Sequence, residues 1–413
     1  MRKILLGLAA IGPGLFLIGY NIGTGSIVTM SKAGGNHGMT LLWAVAISCV
    51  FTFVLMVAYG KLTIVTGQTA LTNYRRHIPV PGLGTALAIY VMAALILGEL
   101  LALIGIFGIV TDLLGEGTRL LFGHSVSSIW LTIVLVLVFY WLFWTGVYRT
   151  FEKFLTVCVI FMTLCFVAVF FMISPDYWAI ARGLVPRIPR VEGATGLVAA
   201  MAGTTCSAAV FIIRSIVIAE KGWTLGDLRQ EKRDAAVSAT IMLLLSGTVM
   251  AVAAGTLYVE GYTLDDTVEL IRLFEPLGGR VAALVLILGV TAAGISTIFP
   301  IALIAPWLIA DFTGQPRDLQ TPMFRILVLG ALLLAFVTHF IEQRPPAVMI
   351  FSQAFQALIL PAVVIPILYL LNCRQVMGEY RARFWMNLGL VLTLSFSLLT
   401  AFLGVTEVIR ILG

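Results

Sequence analysis

Charge is scarce in this sequence. Only 11% of its 413 residues are Asp, Glu, Lys or Arg, while 60% are hydrophobic. A soluble domain carries about twice that charged share, and the mean hydropathy of +1.04 belongs to a polytopic membrane protein. Histidine is scarcer still: His37, His77, His124 and His339 all fall in loops or toward the ends of apolar segments. Cys49, Cys158, Cys165, Cys206 and Cys373 contain no CxxC pair, which argues against a disulfide framework and a structural zinc site. The apolar segments hold no nucleophile–base set, so an enzyme is not expected, and no cofactor is called for. The net charge of +6 would suggest nucleic acid in a soluble protein. Here the basic residues gather in alternate loops, as cytoplasmic loops of membrane proteins do, and no nucleic-acid partner is expected.

What is abundant is apolar sequence in long runs. About 20 apolar residues cross a bilayer, and roughly eleven segments meet that length: 10–31, 40–66, 82–113, 127–147, 151–173, 194–219, 234–258, 278–312, 322–340, 346–372 and 384–411. The start, Met1-Arg2-Lys3 before an apolar run, has the look of a signal peptide. The run outlasts a signal core and lacks a small-residue cleavage site, so it is read as a retained first helix. Arg75 and Arg76, Arg149 and Lys153, Lys221 to Arg233, Arg317 and Arg325, and Arg374 to Arg383 mark one side, while the 259–277 loop is acidic. The N-terminus is therefore cytoplasmic and the eleventh crossing ends outside. The compact loops suit a bacterial inner membrane. Oligomeric state is not readable.

Two of the segments are interrupted. Ile18-Gly19-Tyr20-Asn21-Ile22-Gly23-Thr24-Gly25-Ser26 places three glycines in the first, and Ala202-Gly203-Thr204-Thr205-Cys206-Ser207 breaks the sixth. Glycine costs a helix roughly 1 kcal/mol relative to alanine, and unwound backbone is tolerated at membrane depth only against a cavity or buried in protein. Matching breaks five crossings apart are the sequence sign of an inverted-repeat secondary transporter with its substrate site between them. The chain divides on that reading into a five-helix repeat over 1–173, an inverted one over 194–372, and an additional helix over 384–411.

The motifs also carry a family resemblance over nearly the whole chain. Gly12-Pro13-Gly14 opens the first helix and Leu62-Thr63-Ile64-Val65-Thr66-Gly67 closes the second. Gly146-Val147-Tyr148-Arg149-Thr150-Phe151-Glu152 precedes the fifth. Ala293-Gly294-Ile295-Ser296-Thr297 lies in the eighth and Ser352-Gln353-Ala354-Phe355-Gln356 in the tenth. In this order and spacing the chain resembles the NRAMP family of proton-coupled divalent-metal transporters. The resemblance implies a leucine-transporter-like, all-α fold of two inverted five-helix repeats with discontinuous helices one and six. It does not carry the metal site across. The family's Asp-Pro-Gly-Asn falls on Gly23-Thr24-Gly25-Ser26, and its Met-Pro-His-Asn falls on Ser207-Ala208-Ala209-Val210.

The breaks supply neutral groups in place of those ligands: the hydroxyls of Thr24, Ser26, Thr204, Thr205 and Ser207, and the amide of Asn21. Tyr20, Gly23, Gln353 and Gln356 complete the expected lining. Divalent ions favour carboxylates or several placed oxygens, and softer metals favour nitrogen or sulfur. This set instead suits a small polar organic solute, with a sugar in the lead, and no metal is expected. Two alternatives stand beside it: a divalent cation of the magnesium or manganese type in a degenerate site, and a non-transporting receptor or scaffold. Glu99 is the one carboxylate well inside a span, a functional hypothesis by default, and is the candidate proton carrier. Arg214, past the second break, has three open roles: pairing with Glu99, lining the inner exit, or repelling cations. Ser296 and Thr297 are candidates for a coupling sodium. Coupling to protons, to sodium or to nothing stays open.

Overall fold

A computed structural model describes residues 23–145, 148–191, 193–315 and 320–412. They are almost entirely helical, with no strand among them. The helices are α1 (Thr24–His37), α2 (Leu42–Thr66), α3 (Ala70–His77), α4 (Leu83–Phe122), α5 (Ser128–Thr145), α6 (Tyr148–Met172) and α7 (Tyr177–Gly183). They continue as α8 (Ala194–Thr205), α9 (Ala208–Lys221), α10 (Leu228–Ala253), α11 (Gly279–Ala302), α12 (Ile304–Thr313), α13 (Pro322–Leu333), α14 (Pro345–Asn372), α15 (Arg374–Met377) and α16 (Phe384–Leu412). Among the described residues nine helices, or ten if the α6–α7 pair bent by 113° counts as one, are long and apolar enough to cross a membrane. The chain is a multi-pass integral membrane protein. The first expected crossing begins outside the described residues, and α1 is its outer half.

The sixth crossing breaks where its composition predicts. α8 ends at Thr205, Cys206 and Ser207 are non-helical (φ −108°, ψ 50° and φ −66°, ψ 128°), and α9 resumes at Ala208. The eighth, expected as one segment over 278–312, is two helices. Pro306 has no N–H to give the carbonyl of Ala302, and α11 stops at that residue. The ninth ends in a tight 3-10 stretch, Leu334–His339, and the acidic outer loop contains another, Thr267–Leu277.

Lipid removes most of the hydrophobic drive between helices, so close approach at small residues has to hold them. Gly203 is the clearest case. A Cβ there would lie 1.8 Å from the Gln353 carbonyl oxygen of α14, so the last turn of α8 rests directly on α14 backbone. α14 packs in turn against α4, α8 and α16, and α10 packs against α1 and α2. α1 and the broken sixth crossing are thereby enclosed near the middle of the bundle. Cys49, Cys165, Cys206 and Cys373 are free thiols.

Candidate functional site

A small cavity of about 30 Å³ lies between the start of α1 and the break of the sixth crossing, lined by Gly23, Gly25, Ser26, Glu99, Ala102, Ile106, Thr204, Ser207, Thr297, Ile301, Met349, Gln353 and Gln356. Five elements build it. α1 begins there: Gly23 is extended (φ −91°, ψ −172°) and caps the helix without a side chain. The glycines of this stretch act by proximity. A Cβ on Gly23 would fall 2.3 Å from Thr297 Oγ1 of α11, and one on Gly25 would fall 2.9 Å from Met349 Cε and 3.0 Å from Gln353 Nε2 of α14. Gly25 is inside the helix, so it brings α1 close to α14 and does not interrupt it.

Polar contacts tie the breaks together. The Ser26 and Thr204 hydroxyls share a hydrogen bond of 3.0 Å, linking the first turn of α1 to the last turn of α8. Ser207 Oγ donates to Gln356 Oε1 at 2.8 Å. Gln353 Nε2 donates to the Met349 thioether at 3.7 Å. Glu99 enters from α4, 3% exposed, and is the sole ionisable side chain among the described lining residues. The helix ends also contribute charge. α1 and α9 present their positive N-terminal ends and α8 its negative C-terminal end. Among the described lining residues the Glu99 carboxylate is the ionisable group that favours a cation.

The structure brings Gly23, Ser26, Thr204, Ser207, Gln353, Gln356, Glu99 and Thr297 around the cavity and places Thr24, Thr205, Ser296 and Arg214 outside its lining. Thr24 faces α11, its hydroxyl donating to Val290 O at 3.5 Å. Thr205 is buried away from the cavity, its carbonyl accepting from Thr52 Oγ1 at 2.9 Å. Ser296 bonds back to Ala293 O at 2.8 Å. Thr297 lines the cavity while its hydroxyl bonds the same carbonyl at 2.7 Å. Arg214 turns to α10, donating to Glu231 Oε1 at 3.0 Å and Asp234 Oδ2 at 2.9 Å. Tyr20 and Asn21 lie outside the described residues. Met349 was missed, although its spacing signals it: Met349, Gln353 and Gln356 are four and three apart on one face of α14. Among the described residues no three His, Cys, Asp or Glu side chains converge as a metal cluster.

The two sides of the site differ. Toward the outside, a cavity of about 610 Å³ is bounded by Lys32 and His37 of α1, Leu101 and Ile104 of α4, Leu197 of α8 and Phe351 of α14. Toward the inside, α3 is bound across the bundle. Tyr59 donates to Val363 O at 2.7 Å, so its shared hydrogen bond with Tyr74 takes the Tyr74 proton. Ala70 N donates to Ser215 Oγ at 3.0 Å, and Arg75 Nη1 donates to Phe312 O at 2.5 Å.

A family model described as "Natural resistance-associated macrophage protein-like" matches residues 14–407. The divalent metal cation transporter MntH of Listeria innocua is 26% identical over 413 residues, covering 96% of this chain and 88% of its own. MntH of Klebsiella pneumoniae is 26% identical over 406 residues, covering 95% and 94%. Among solved structures, the manganese transporter of Eremococcus coleocola superposes with a TM-score of 0.71 at 18% identity, covering 97% of this chain and 86% of that one. Mhp1 in its inward-facing conformation gives 0.62 at 14% identity, covering 97% and 91%. The fold is accordingly leucine-transporter-like. The expectation of a small polar organic solute, with a sugar in the lead, is corrected by these findings, since the relatives are named for divalent metal cations. In this conformation the cavity of about 30 Å³ has room for about two water-sized particles, each needing about 10–15 Å³.

Proposed function

This chain belongs to the Nramp family, and on that premise we propose that it carries a divalent metal cation, of the magnesium or manganese type, across a bacterial inner membrane by alternating access. The observation that carries the reading is Glu99, the sole carboxylate among the described lining residues, brought by α4 to a small cavity where the start of α1 meets the break of the sixth crossing. A doubly charged ion facing one carboxylate keeps part of its hydration shell, as magnesium does when held by one or two carboxylates. The remaining contacts in this reading are the hydroxyls of Ser26, Thr204 and Ser207, the amide oxygens of Gln353 and Gln356, and the Met349 thioether, the one soft donor. Glu99 is also the group on which proton coupling would act, since it is the ionisable lining residue.

Alternating access is supported by the asymmetry around the site: an open outer cavity and an inner side spanned by α3 and its hydrogen bonds. The bodies proposed to move are the repeats read from the sequence, 1–173 and 194–372, with 384–411 riding on the second. Uptake into proteoliposomes tests the function. Saturable manganese or magnesium entry, faster with an inward proton gradient, is expected. A folded, reconstituted protein that moves neither ion under any gradient would overturn the reading.

A further inference from the structure

A second cavity lies far from the central site, where the cytoplasmic ends of α2, α10 and α16 meet. It measures about 350 Å³ and is lined by Phe53, Val54, Val57 and Lys61 of α2, Leu228, Glu231 and Lys232 of α10, and Trp385 and Met386 of α16. Its chemistry is graded. The wall along α2 is apolar and runs toward the membrane centre, where α16 closes on α2 at Gly389: a Cβ there would sit 3.2 Å from both Val54 methyls. The mouth is cationic. Lys61 Nζ has only the Arg381 carbonyl, at 3.4 Å, and Arg383 is near enough for its charge to oppose that of Lys61. Lys232 is exposed. Among the described residues neither lysine nor Arg383 forms an ion pair. The one carboxylate in the lining, Glu231, is 1% exposed and turned inward onto Arg214 at 3.0 Å, so it does not neutralise them.

Two aromatic rings fix the depth of this mouth. Trp385 is 79% exposed and its neighbour Phe384 is 71% exposed. Tryptophan enriched at the headgroup level marks the membrane–water boundary, so Lys61 and Lys232 stand at phosphate height on the inner leaflet. Positive charge against an apolar slot at that height is complementary to one molecule. We propose that this groove is a binding site for an anionic phospholipid, whose phosphate bridges Lys61 and Lys232 while an acyl chain lies along Phe53, Val54 and Val57. Basic pockets between transmembrane helices on the cytoplasmic side recognise anionic headgroups in this way. The lipid joins α2 to α10 and α16 across a gap that side chains leave unfilled, on the outer side of the same Glu231 that secures α9 through Arg214.

The test compares phosphatidylglycerol with phosphatidylcholine of identical acyl chains, added to the purified full-length protein in detergent. Native mass spectrometry reads retention and thermal unfolding reads stabilisation. The wild type is expected to retain phosphatidylglycerol about thirty-fold more, a factor of about five per lysine. Lys61→Gln combined with Lys232→Gln should bring the two lipids to near parity while cation uptake in phosphatidylcholine vesicles stays unchanged. Val57→Trp fills the slot without touching charge and should also cut phosphatidylglycerol retention. Equal retention of both lipids by the wild type, or an unchanged preference in the double variant, overturns the proposal. So does a full stabilising effect from soluble glycerol phosphate, which would assign the site to free anions.

Discussion

Replacing Glu99 with glutamine removes the sole formal charge among the described lining residues and keeps the shape. Leaving a desolvated cation without its counter-charge costs about 3 kcal/mol or more, so apparent affinity for manganese or magnesium should drop over a hundred-fold. The residual uptake should lose its response to a proton gradient, and filter assays on proteoliposomes at two pH values read both effects. Met349→Leu keeps volume and removes sulfur. It should weaken cadmium, which favours thioether, several-fold more than magnesium, as competition against manganese uptake would show. These two residues mark what was readable from the chain. Glu99 stood out because a carboxylate within a span has few structural reasons to be there. Met349 was hidden because methionine in an apolar run usually packs, and only its spacing from Gln353 betrays it. Thr24 and Ser26, two apart on one helix, point to different neighbours. That difference is set by how α1 crosses α11 and α14, which composition does not encode.

At the scale of elements, the break of the sixth crossing was legible and the reasons for close helix approach less so. The glycines of the first segment predicted weakness. What the packing adds is that Gly23 and Gly25 leave room for α11 and α14 beside α1, since a Cβ at either would press on Thr297 or on Met349 and Gln353. The split of the eighth crossing is legible in Pro306, four residues after the last helical carbonyl, although the segment as a whole reads as uniformly apolar. α3 is the element whose strength sets the inner closure. Tyr74→Phe deletes the proton donated to Tyr59 and leaves a buried hydroxyl oxygen short of one bond, worth about 1 kcal/mol. That shifts an open–closed equilibrium about five-fold toward the inward-open side. Ser215→Cys in an otherwise cysteine-free background, labelled from inside with a membrane-impermeant thiol reagent, should react about five-fold faster when Tyr74→Phe is added.

For the whole molecule, the outer rim ties α1 to the acidic loop. Lys32 of α1 donates to Asp265 at 3.1 Å, and Thr263 Oγ1 donates to the same carboxylate at 2.8 Å. The Thr263 hydrogen bond first, and then Lys32, hold the Asp265 carboxyl below its ordinary value. A carboxyl lowered in the folded state stabilises at pH above its unfolded value, about 3.9. That contribution disappears as pH falls through the lower folded value. Wild type should therefore unfold at a slightly higher temperature than Asp265→Asn at pH 7, and the two should converge toward pH 3. Scanning fluorimetry across that range checks it, and a gap that widens in acid would contradict it. The overall topology, by contrast, was accessible from segment lengths, loop charges and the spacing of the two interruptions.

The Arg214 ion triad also bears on how the protein is made. The sixth crossing, Ala194–Lys221, carries an arginine that is wholly enclosed in the finished bundle. An arginine at the centre of a span costs about 2.5–3.5 kcal/mol on insertion, an upper bound for Arg214, which lies toward the end of Ala194–Lys221. Its acidic partners, Glu231 and Asp234, follow only 17 and 20 residues later, on the next helix to emerge from the ribosome. Crossings six and seven are therefore expected to enter the bilayer as a hairpin, with the charges already matched. In a glycosylation-reporter assay, Glu231→Ala with Asp234→Ala should lower the inserted fraction of the upstream helix, a defect of biogenesis arising before any ion has been transported.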